Sequence, residues 1–291
     1  MTEDNMPNEA DRPDAPALIE RLSTRWGPMH GFTNDQGVSA ALRRFGEYAA
    51  AEIDLYSRLA GPGDAVVDVG SNIGVVARAL AVSAARPTVI GFEPQPQCFR
   101  LASANTFSHG NVSLYPLAVA DRAGMVDIDE IDLRRPGNYG GFGLDPDRQS
   151  PRRVPCPTVR LDAFLATRAP RPRLVKIDAE GMEAAVLRGM RGLAHDRLVI
   201  SAEADRRALV PEILAEVQAL CPACFVAFFR PIDPAHPRFD PSDRHCHTFH
   251  VHVIGFAGAV PDWIGNVKGV WPIQSMTDFD RLWGKHLPSG G

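Results

Sequence analysis

The chain has 291 residues, of which 45% are hydrophobic and 23% charged, and its formal net charge is −4. These values are typical of globular proteins, and no apolar run approaches the roughly 20 residues that a membrane-spanning helix needs. The acidic balance lacks the basic field that nucleic acids require, so we expect no nucleic-acid partner. The N-terminus has no basic start followed by an apolar core, so no secretory signal is predicted.

The five cysteines are an odd number and do not indicate a disulfide framework. A reducing cytoplasm is the simplest location for such a chain. Cys221 and Cys224 have C-x-x-C spacing, but no second pair completes a zinc site. We interpret them as ordinary thiols and predict no metal site.

The N-terminal part is predicted to contain a tail and a helical segment. Residues 1–16 are polar and contain prolines, which indicates a flexible tail. Residues 17–64 are predicted to be helical, because apolar residues within 36–60 recur mostly every three or four positions. The glycines and proline at 61–63 end this segment.

From residue 65 onward, β-branched runs alternate with helical patterns. Predicted strands lie at 65–69, 88–92, 112–119, 174–178, 198–202, 225–229 and 248–255. Predicted helices lie at 75–83, 95–106, 182–193 and 208–220. This alternation predicts an α/β fold with a doubly wound, mostly parallel sheet. We assign 65–257 to one domain, with 122–158 as a loop insertion rich in glycine and proline and 258–291 as a C-terminal extension.

The stretch AVVDVGSNIG at 65–74 places a glycine turn between a strand and a helix. The backbone N–H groups of such a turn, with the helix N-terminus, can bind a ligand. Asn72 replaces the middle glycine of the dinucleotide fingerprint, and Asp68 would repel a pyrophosphate. Asp68 suits a cationic amino group, so S-adenosylmethionine fits better than NAD. The alternative role for Gly70 and Gly74 is close packing of strand and helix.

Glu93 ends the second predicted strand, VIGFE. A carboxylate at this position can accept hydrogen bonds from both ribose hydroxyls of a nucleoside. The ribose of NAD binds a carboxylate in the same way, so Glu93 indicates S-adenosylmethionine only in combination with the glycine turn at 70–74. The alternative is a surface acid at the end of a strand.

The stretch LVKIDAEG at 174–181 has Lys176 inside an apolar strand and Asp178 and Glu180 at its carboxyl end. Ligands of open parallel sheets bind at that edge. We predict catalytic roles for these three residues, with Asp178 orienting or deprotonating an acceptor group. The alternative is a structural ion pair, since a buried lysine needs a carboxylate partner.

The chain resembles the FkbM family of S-adenosylmethionine-dependent methyltransferases from about residue 46 to 205. The matching segments, in the family's order, are VVDVGSNIG (66–74), IGFEPQPQCFRLASAN (90–105), VSLYPLAVAD (112–121), VRLDAF (159–164) and LVKIDAEGMEAAVLRGM (174–190). The resemblance implies a Rossmann-like sheet of seven strands, the last of them antiparallel.

The resemblance also implies which residues bind the cofactor. These would be Asp68, Gly70, Ser71, Asn72, Gly74 and Glu93. Asp121 would lie near the adenine edge. Asn138, in GNYGG, resembles the family's asparagine–glycine loop and is expected near the cofactor or the acceptor.

The segment 231–247 joins the last two predicted strands and should overhang the active-site edge of the sheet. A histidine is a plausible general base for a hydroxyl group, and we predict this role for His247, with His245 as a comparable candidate. His250 and His252 are interpreted as polar residues of the sheet edge. A metal site built from these histidines is the main alternative.

Members of the family commonly methylate hydroxyl groups, so the resemblance implies O-methylation of a sugar, glycan or secondary metabolite. No N/D-P-P-Y/F tetrapeptide follows the strand 174–178, which weakens the case for a base amine as acceptor. N-methylation of a small molecule or peptide is the alternative within the same class. A NAD-dependent oxidoreductase and a non-catalytic nucleoside-binding module are the alternatives of other classes.

Overall fold

The computed structural model describes residues 17–141, 152–168 and 171–287, so the predicted tail 1–16 lies outside the described residues. Within these ranges the strands are β1 (Ile19–Thr24), β2 (Gly27–Phe32), β3 (Ala65–Val69), β4 (Thr88–Phe92), β5 (Val112–Tyr115), β6 (Ala118–Val119), β7 (Gly124–Asp129), β8 (Arg153–Val159), β9 (Leu174–Ile177), β10 (Val199–Glu203), β11 (Ala223–Phe229), β12 (His250–Phe256) and β13 (Val270–Ile273). The helices are α1 (Val38–Phe45), α2 (Ala50–Leu59), α3 (Val75–Val82), α4 (Pro96–Thr106), α5 (Leu161–Leu165), α6 (Glu183–Arg188), α7 (Val210–Leu220), α8 (Arg244–His247) and α9 (Met276–His286). None of these helices has both the length and the apolar character needed to cross a membrane.

Eight strands form the central sheet, in the order β13-β11-β12-β10-β9-β3-β4-β5. The five strands from β5 to β10 in this order are parallel, whereas β12 runs antiparallel between β10 and β11. The predicted doubly wound, mostly parallel sheet is confirmed, and β12 is its predicted antiparallel last strand. The eighth strand, β13, was not predicted. It comes from the C-terminal extension and pairs antiparallel with β11.

Helices cover both faces of the central sheet. Because side chains alternate along a strand, Val66 and Val67 of β3 face opposite apolar layers. Val67 packs in the layer that α5, α6, α7 and α9 cover, and Val66 in the layer that α2 and α3 cover. All five residues of β3 are buried, as expected for a parallel strand covered on both sides.

We predicted that the segment 17–64 is helical, but it begins with an antiparallel hairpin of β1 and β2. The hairpin and α1 pack against α3 and α4. The helical pattern of 36–60 also belongs to two helices, since α1 ends at Phe45 and α2 begins at Ala50. The apolar spacing continues across this break, so the pattern did not reveal it.

The region predicted as a loop insertion, 122–158, contains two strands. β7 and β8 pair antiparallel, and β8 pairs parallel with β6 in a separate three-stranded sheet. The single predicted strand 112–119 is accordingly divided between β5 in the central sheet and β6 in the small sheet. Residues 142–151 of the predicted insertion lie outside the described residues.

The strand order reverses beside β3. The chain leaves β3 to form β4 and β5 on one side and returns with β9 on the other side. Ligands of open α/β sheets bind at such a switch point, outside the carboxyl ends of the strands. β11 runs in the same direction as β10, so residues 230–249 cross this edge, as the sequence predicted.

Candidate active site

Two adjoining cavities open at the carboxyl edge of the central sheet. The first cavity has an empty volume of about 710 Å³ and the second one of about 1190 Å³. They share a wall, which we call the common wall, formed by Gly70, Asn72, Gly140, Asp178 and Glu180. Sequence analysis predicted functional roles for four of these five residues.

Gly70 brings the ends of β3 and β9 together. Its φ of +79° is in the left-handed region, and a Cβ atom at this position would lie 1.8 Å from the carbonyl oxygen of Asp178. Its N–H group donates to the carbonyl oxygen of Phe92 at 2.9 Å. Only glycine therefore fits at this point of the common wall.

Glu93 lines the first cavity and is oriented by two backbone donors. The N–H group of Asn72 donates to Oε2 at 2.7 Å, and that of Gln95 donates to Oε1 at 2.8 Å. Burial raises the pKa of Glu93 to about 7, although both N–H groups act in the opposite direction. Asn72 itself has a φ of +49°, a conformation that asparagine adopts more readily than most residues, which explains its place in the turn.

Two other predicted cofactor residues of the turn have structural contacts. A Cβ atom on Gly74 would lie 3.1 Å from the Cα atom of Ala102, so this glycine lets α3 approach α4. Gly74 does not line either cavity, and the packing role considered above is the one that its position supports. Ser71 lines the second cavity, and its hydroxyl donates to the carbonyl oxygen of Asp68 at 3.0 Å.

Asp68 is fully buried and lies outside both cavities, contrary to our expectation of a contact with the cofactor's amino group. Its Oδ1 atom is 3.2 Å from Nζ of Lys176. Lys176 also lies 3.5 Å from Oδ2 of Asp178 and donates to the carbonyl oxygen of Gly70 at 2.9 Å. Burial alone would lower the pKa of Lys176, but Asp68 and Asp178 outweigh it and raise that pKa. Lys176 is therefore a buried cation that ties β3 to β9.

Three carboxyl groups meet beside Lys176. One oxygen from each of Asp178, Glu180 and Glu203 lies within 4.8 Å of the others, a set that could hold a divalent cation. Burial and the charge of Asp178 raise the pKa of Glu203 well above its usual value. The same two causes raise the pKa of Glu180 to about 8, although Arg206 pairs with it.

Asp121 and His247 lie away from the cavities. The carboxylate of Asp121 is 3.6 Å from Nε of Arg188, and the preceding Ala118 and Val119 line the first cavity in its place. His247 is exposed at the end of α8 and does not line the second cavity. The histidines among the described residues that do line it are His245, His250 and His252.

Asn138 lines the second cavity, as the sequence led us to expect. Its Oδ1 atom accepts a hydrogen bond from the N–H group of Gly140 at 3.2 Å. The buried carboxylate of Asp35 holds this loop from the other side, because its two oxygens accept from the N–H groups of Gly37, Ser39 and Tyr139. The N-terminal segment thereby fixes residues 137–140 over the glycine turn.

Sequence reasoning missed several cavity residues. Glu203 could have been predicted from the sequence, because it directly follows the predicted strand 198–202, which comes after the strand 174–178 along the chain. Tyr48 and Glu52 could not have been predicted, since their place in the second cavity depends on how α2 packs over the sheet. The apolar wall of the first cavity was also missed; it includes Leu117, Ala118, Val119, Ile128 and Met182.

A family model described as the methyltransferase FkbM domain matches residues 68–220, more than half of the chain. Comparison with curated protein sequences gave no match. Similar solved structures include precorrin-6y C5,15-methyltransferase from Geobacter metallireducens (14% identity, 72% of this chain and 87% of that chain, TM-score 0.43). A second is an S-adenosylmethionine-dependent O-methyltransferase from Thermotoga maritima (13% identity, 73% of this chain and 67% of that chain, TM-score 0.43). A third is precorrin 8w decarboxylase from Methanobacterium thermoautotrophicum (16% identity, 71% of this chain and 89% of that chain, TM-score 0.43).

Proposed function

The chain belongs to the methyltransferase FkbM domain family, and we propose that this member methylates a hydroxyl group. The cofactor is S-adenosylmethionine, which when bound supplies a methyl group activated on a sulfonium centre. The protein's own residues have to hold this cofactor, orient the acceptor beside it and accept the acceptor's proton.

The first cavity fits the cofactor. Glu93 offers carboxylate oxygens to the ribose hydroxyls, and the apolar side chains of the same cavity suit an adenine ring. The Oε1 atom of Gln95 is buried and has no hydrogen-bond partner among the described residues, so it can accept from a bound polar group.

The observation that carries the acceptor assignment is the position of Asp178. It follows β9, belongs to the common wall, and keeps 34% of its side chain exposed while Lys176 holds one oxygen at 3.5 Å. A carboxylate placed between the two cavities can accept a hydrogen bond from an acceptor hydroxyl and direct its oxygen toward the methyl group. We propose this orienting role for Asp178, with Lys176 holding it and Glu180 beside it.

The charge of the second cavity favours oxygen over nitrogen as the methylated atom. Its carboxyl groups are those of Glu52, Asp178, Glu180, Glu203 and Asp205, of which Glu180 and Glu203 have raised pKa values, and its cations are Lys176 and Arg244. Neighbouring negative charge holds an amine as ammonium, which has no lone pair for attack. The same charge repels nucleic-acid phosphates. A polyhydroxylated acceptor, such as a sugar, a glycan or a hydroxylated secondary metabolite, suits these groups.

The test is methyl transfer from S-adenosylmethionine labelled with ¹³C in its methyl group. One panel contains sugars, glycosides and hydroxylated metabolites, and a second panel contains amines and peptides. We expect ¹³C NMR of the product to show a methyl carbon bonded to oxygen, with no product from the Glu93→Ala variant. A methyl carbon bonded to nitrogen would overturn the proposal in favour of N-methylation.

We further propose a cytoplasmic location. All five cysteines are buried free thiols in the structure, which supports a reducing compartment. Burial raises the pKa of Cys221 to about 12 and that of Cys224 to about 11, so neither is a reactive thiolate at neutral pH.

A further inference from the structure

Methylation of a hydroxyl group releases a proton, and the second cavity contains side chains that could accept it. Imidazole has the reference pKa nearest to neutral pH, about 6.5, and is the most effective of these groups as a general base. The three candidates are His245, His250 and His252.

The contacts of two of these histidines exclude them. Nδ1 of His245 faces the carboxylate of Asp243 at 2.8 Å, and Nε2 faces the carbonyl oxygen of Gln36 at 3.2 Å. Both ring nitrogens of His245 therefore face acceptor atoms of the protein, and neither faces a hydroxyl group of the cavity. His252 is 2% exposed, and its ring nitrogens lie 3.3 Å from the hydroxyl oxygen of Ser201 and 3.4 Å from Oε2 of Glu52, so neither is open to the methyl acceptor.

His250 differs from both because one of its ring nitrogens faces the hydroxyl group of Tyr48, a residue that lines the cavity, whereas the buried Ser201 beside His252 does not line it. Its Nδ1 atom lies 3.4 Å from Oε2 of Glu52, and its Nε2 atom lies 3.0 Å from the hydroxyl oxygen of Tyr48. The carboxylate of Glu52 accepts, so the proton of neutral His250 belongs on Nδ1. The lone pair of Nε2 then accepts the hydroxyl proton of Tyr48.

Glu52 is positioned to act as a buried anion next to His250, at the end of the hydrogen-bonded series that begins at Tyr48. Its Oε1 atom accepts from the hydroxyl of Tyr56 at 2.9 Å, and its Oε2 atom also lies 3.4 Å from Nε2 of His252. Burial alone would raise the pKa of Glu52, but His252 and His250 outweigh it and hold that pKa well below its usual value. An ionised Glu52 stabilises a protonated His250.

We propose that Tyr48, His250 and Glu52 form a proton relay for the acceptor hydroxyl, with Tyr48 as the catalytic residue that contacts the acceptor. This proposal rests on the proposed function and identifies where the proton of that reaction goes. Tyr48, His250 and Glu52 all line the second cavity together with Asp178, which orients the acceptor.

The proton balance of the step is complete within these residues. As the acceptor oxygen bonds to the methyl carbon, the carbon–sulfur bond breaks and its electron pair stays on sulfur. The acceptor's proton passes to the oxygen of Tyr48 while the proton of Tyr48 passes to Nε2 of His250. The result is a neutral tyrosine and an imidazolium beside the carboxylate of Glu52, and the imidazolium returns its proton to solvent after turnover.

The charged surroundings of Tyr48 favour a relay over a tyrosinate base. Burial raises the pKa of Tyr48 well above 10, and neighbouring carboxyl groups raise it further. These carboxyl groups belong to Asp178, Glu203, Glu52 and Asp35. Lys176 and Arg244 are the cations of the same cavity. Tyr48 therefore stays protonated at rest and passes a proton on only when His250 takes its own.

The first test reads the tautomer of His250 by ¹⁵N NMR in protein saturated with S-adenosylhomocysteine, and it needs no acceptor. The resonances are assigned by their loss in the His250→Gln variant. We expect a protonated Nδ1 and an unprotonated Nε2. A proton on Nε2 in the neutral ring would overturn the relay, because that nitrogen would then have no lone pair for the proton of Tyr48.

The second test measures turnover of a hydroxyl acceptor found in the ¹³C panel. Tyr48→Phe and His250→Gln should lower kcat by about 10²–10⁴-fold, the range for losing general base catalysis, while the Kd for S-adenosylhomocysteine stays within about twofold. His250→Gln should also lose the acid limb of the pH profile of kcat. Unchanged kcat in both variants would overturn the relay.

Two further variants separate the relay from structural effects. His30→Gln removes an exposed histidine that lies outside both cavities and should leave kcat unchanged. Glu52→Gln keeps the shape of the side chain but removes its charge, so we expect the acid limb of kcat to shift and the tautomer preference of His250 to weaken. If the wild-type protein methylates only nitrogen, the proposed function is refuted. If His250 then still has the expected tautomer, the hydrogen bonds from Tyr48 through His250 to Glu52 are nevertheless established.

Discussion

The carbonyl oxygen of Asp178 occupies the place where a side chain on residue 70 would begin, 1.8 Å from the position of its Cβ atom. One glycine therefore decides how closely β3 and β9 approach, and with it the geometry of the wall that both cavities share. A backbone oxygen cannot move aside as a flexible side chain can. The contact makes a sharp prediction.

Gly70→Ala should lower the free energy of unfolding by more than about 2 kcal/mol and abolish detectable binding of S-adenosylhomocysteine, because both the left-handed φ and the close approach exclude Cβ. Urea unfolding and calorimetric titration measure the two effects. Gly110→Ala is the matched control, since a Cβ atom there meets nothing within 4 Å, and its effect should stay within about 0.5 kcal/mol. Similar results for the two variants would contradict this account of the common wall.

Cofactor affinity should depend on pH through Glu93, whose pKa burial raises to about 7. Ribose hydroxyls donate to the carboxylate form, so the affinity for S-adenosylhomocysteine should fall as the pH drops below 7, approaching tenfold per pH unit. Calorimetry at pH 6 and pH 8 measures this. Glu93→Gln should bind more weakly and with a flat profile; equal wild-type affinities at both pH values would sink the ribose assignment.

The same carboxyl group should affect stability in the opposite direction. Its pKa in the folded protein, about 7, is above the ordinary value of about 4.3, so the native state binds more protons between these values and loses stability as the pH rises. Without ligand, Glu93→Gln should therefore gain stability relative to the wild type on going from pH 5 to pH 8. Urea unfolding at both pH values measures the difference, and a constant difference would argue that Glu93 is ionised throughout.

Asp178→Asn should lower turnover about a hundredfold or more while changing the Kd for S-adenosylhomocysteine by much less, because the carboxylate orients the acceptor. Glu203→Gln is the control from the same cluster. Burial and Asp178 raise the pKa of Glu203 well above its usual value and so favour its uncharged form, which an amide resembles, and the amide variant should retain most activity. Equal losses of turnover and affinity in Asp178→Asn would assign Asp178 to cofactor binding or to the fold.

Asp35→Ala should loosen the loop 137–140, because its carboxylate accepts from the N–H groups of Gly37, Ser39 and Tyr139. We expect a loss of about 1–3 kcal/mol in unfolding free energy and faster hydrogen exchange at the N–H group of Tyr139. Asp132→Ala removes an exposed acceptor for the N–H group of Arg134 and should change little. Unaltered exchange at Tyr139 would contradict the holding role of Asp35.

The parts that the sequence predicted are local in the chain. The strand, glycine turn and helix around Gly70, and the acid that ends the next strand, follow from period, turn chemistry and the switch-point rule applied to consecutive residues. Asp68 and Gly74 show the limit of such patterns: the pattern selected the right turn, but the contact of Asp68 with Lys176 and the close approach of Ala102 to Gly74 decided what these two residues do.

The parts that sequence reasoning missed depend on distant pairings. Tyr48 and His250 are 202 positions apart, and nothing in the spacing of either segment indicates that they meet. β13 was missed because its four residues include a proline and show no alternation, and it is a strand only because β11 offers a free edge. His247 was preferred to His250 because the segment 231–247 was expected to overhang the active-site edge, whereas in the structure His250 of β12 lines the second cavity and His247 does not.

The common wall also bears on how such an enzyme could change its substrate. Gly70, Asn72 and Asp178 serve both cavities, so a substitution there disturbs cofactor and acceptor together. The segment 231–249 contributes to the second cavity alone. Variation between β11 and β12 can therefore alter which molecule is methylated while the nucleoside site stays intact, and this segment is the part of the chain where acceptor preference is free to diverge.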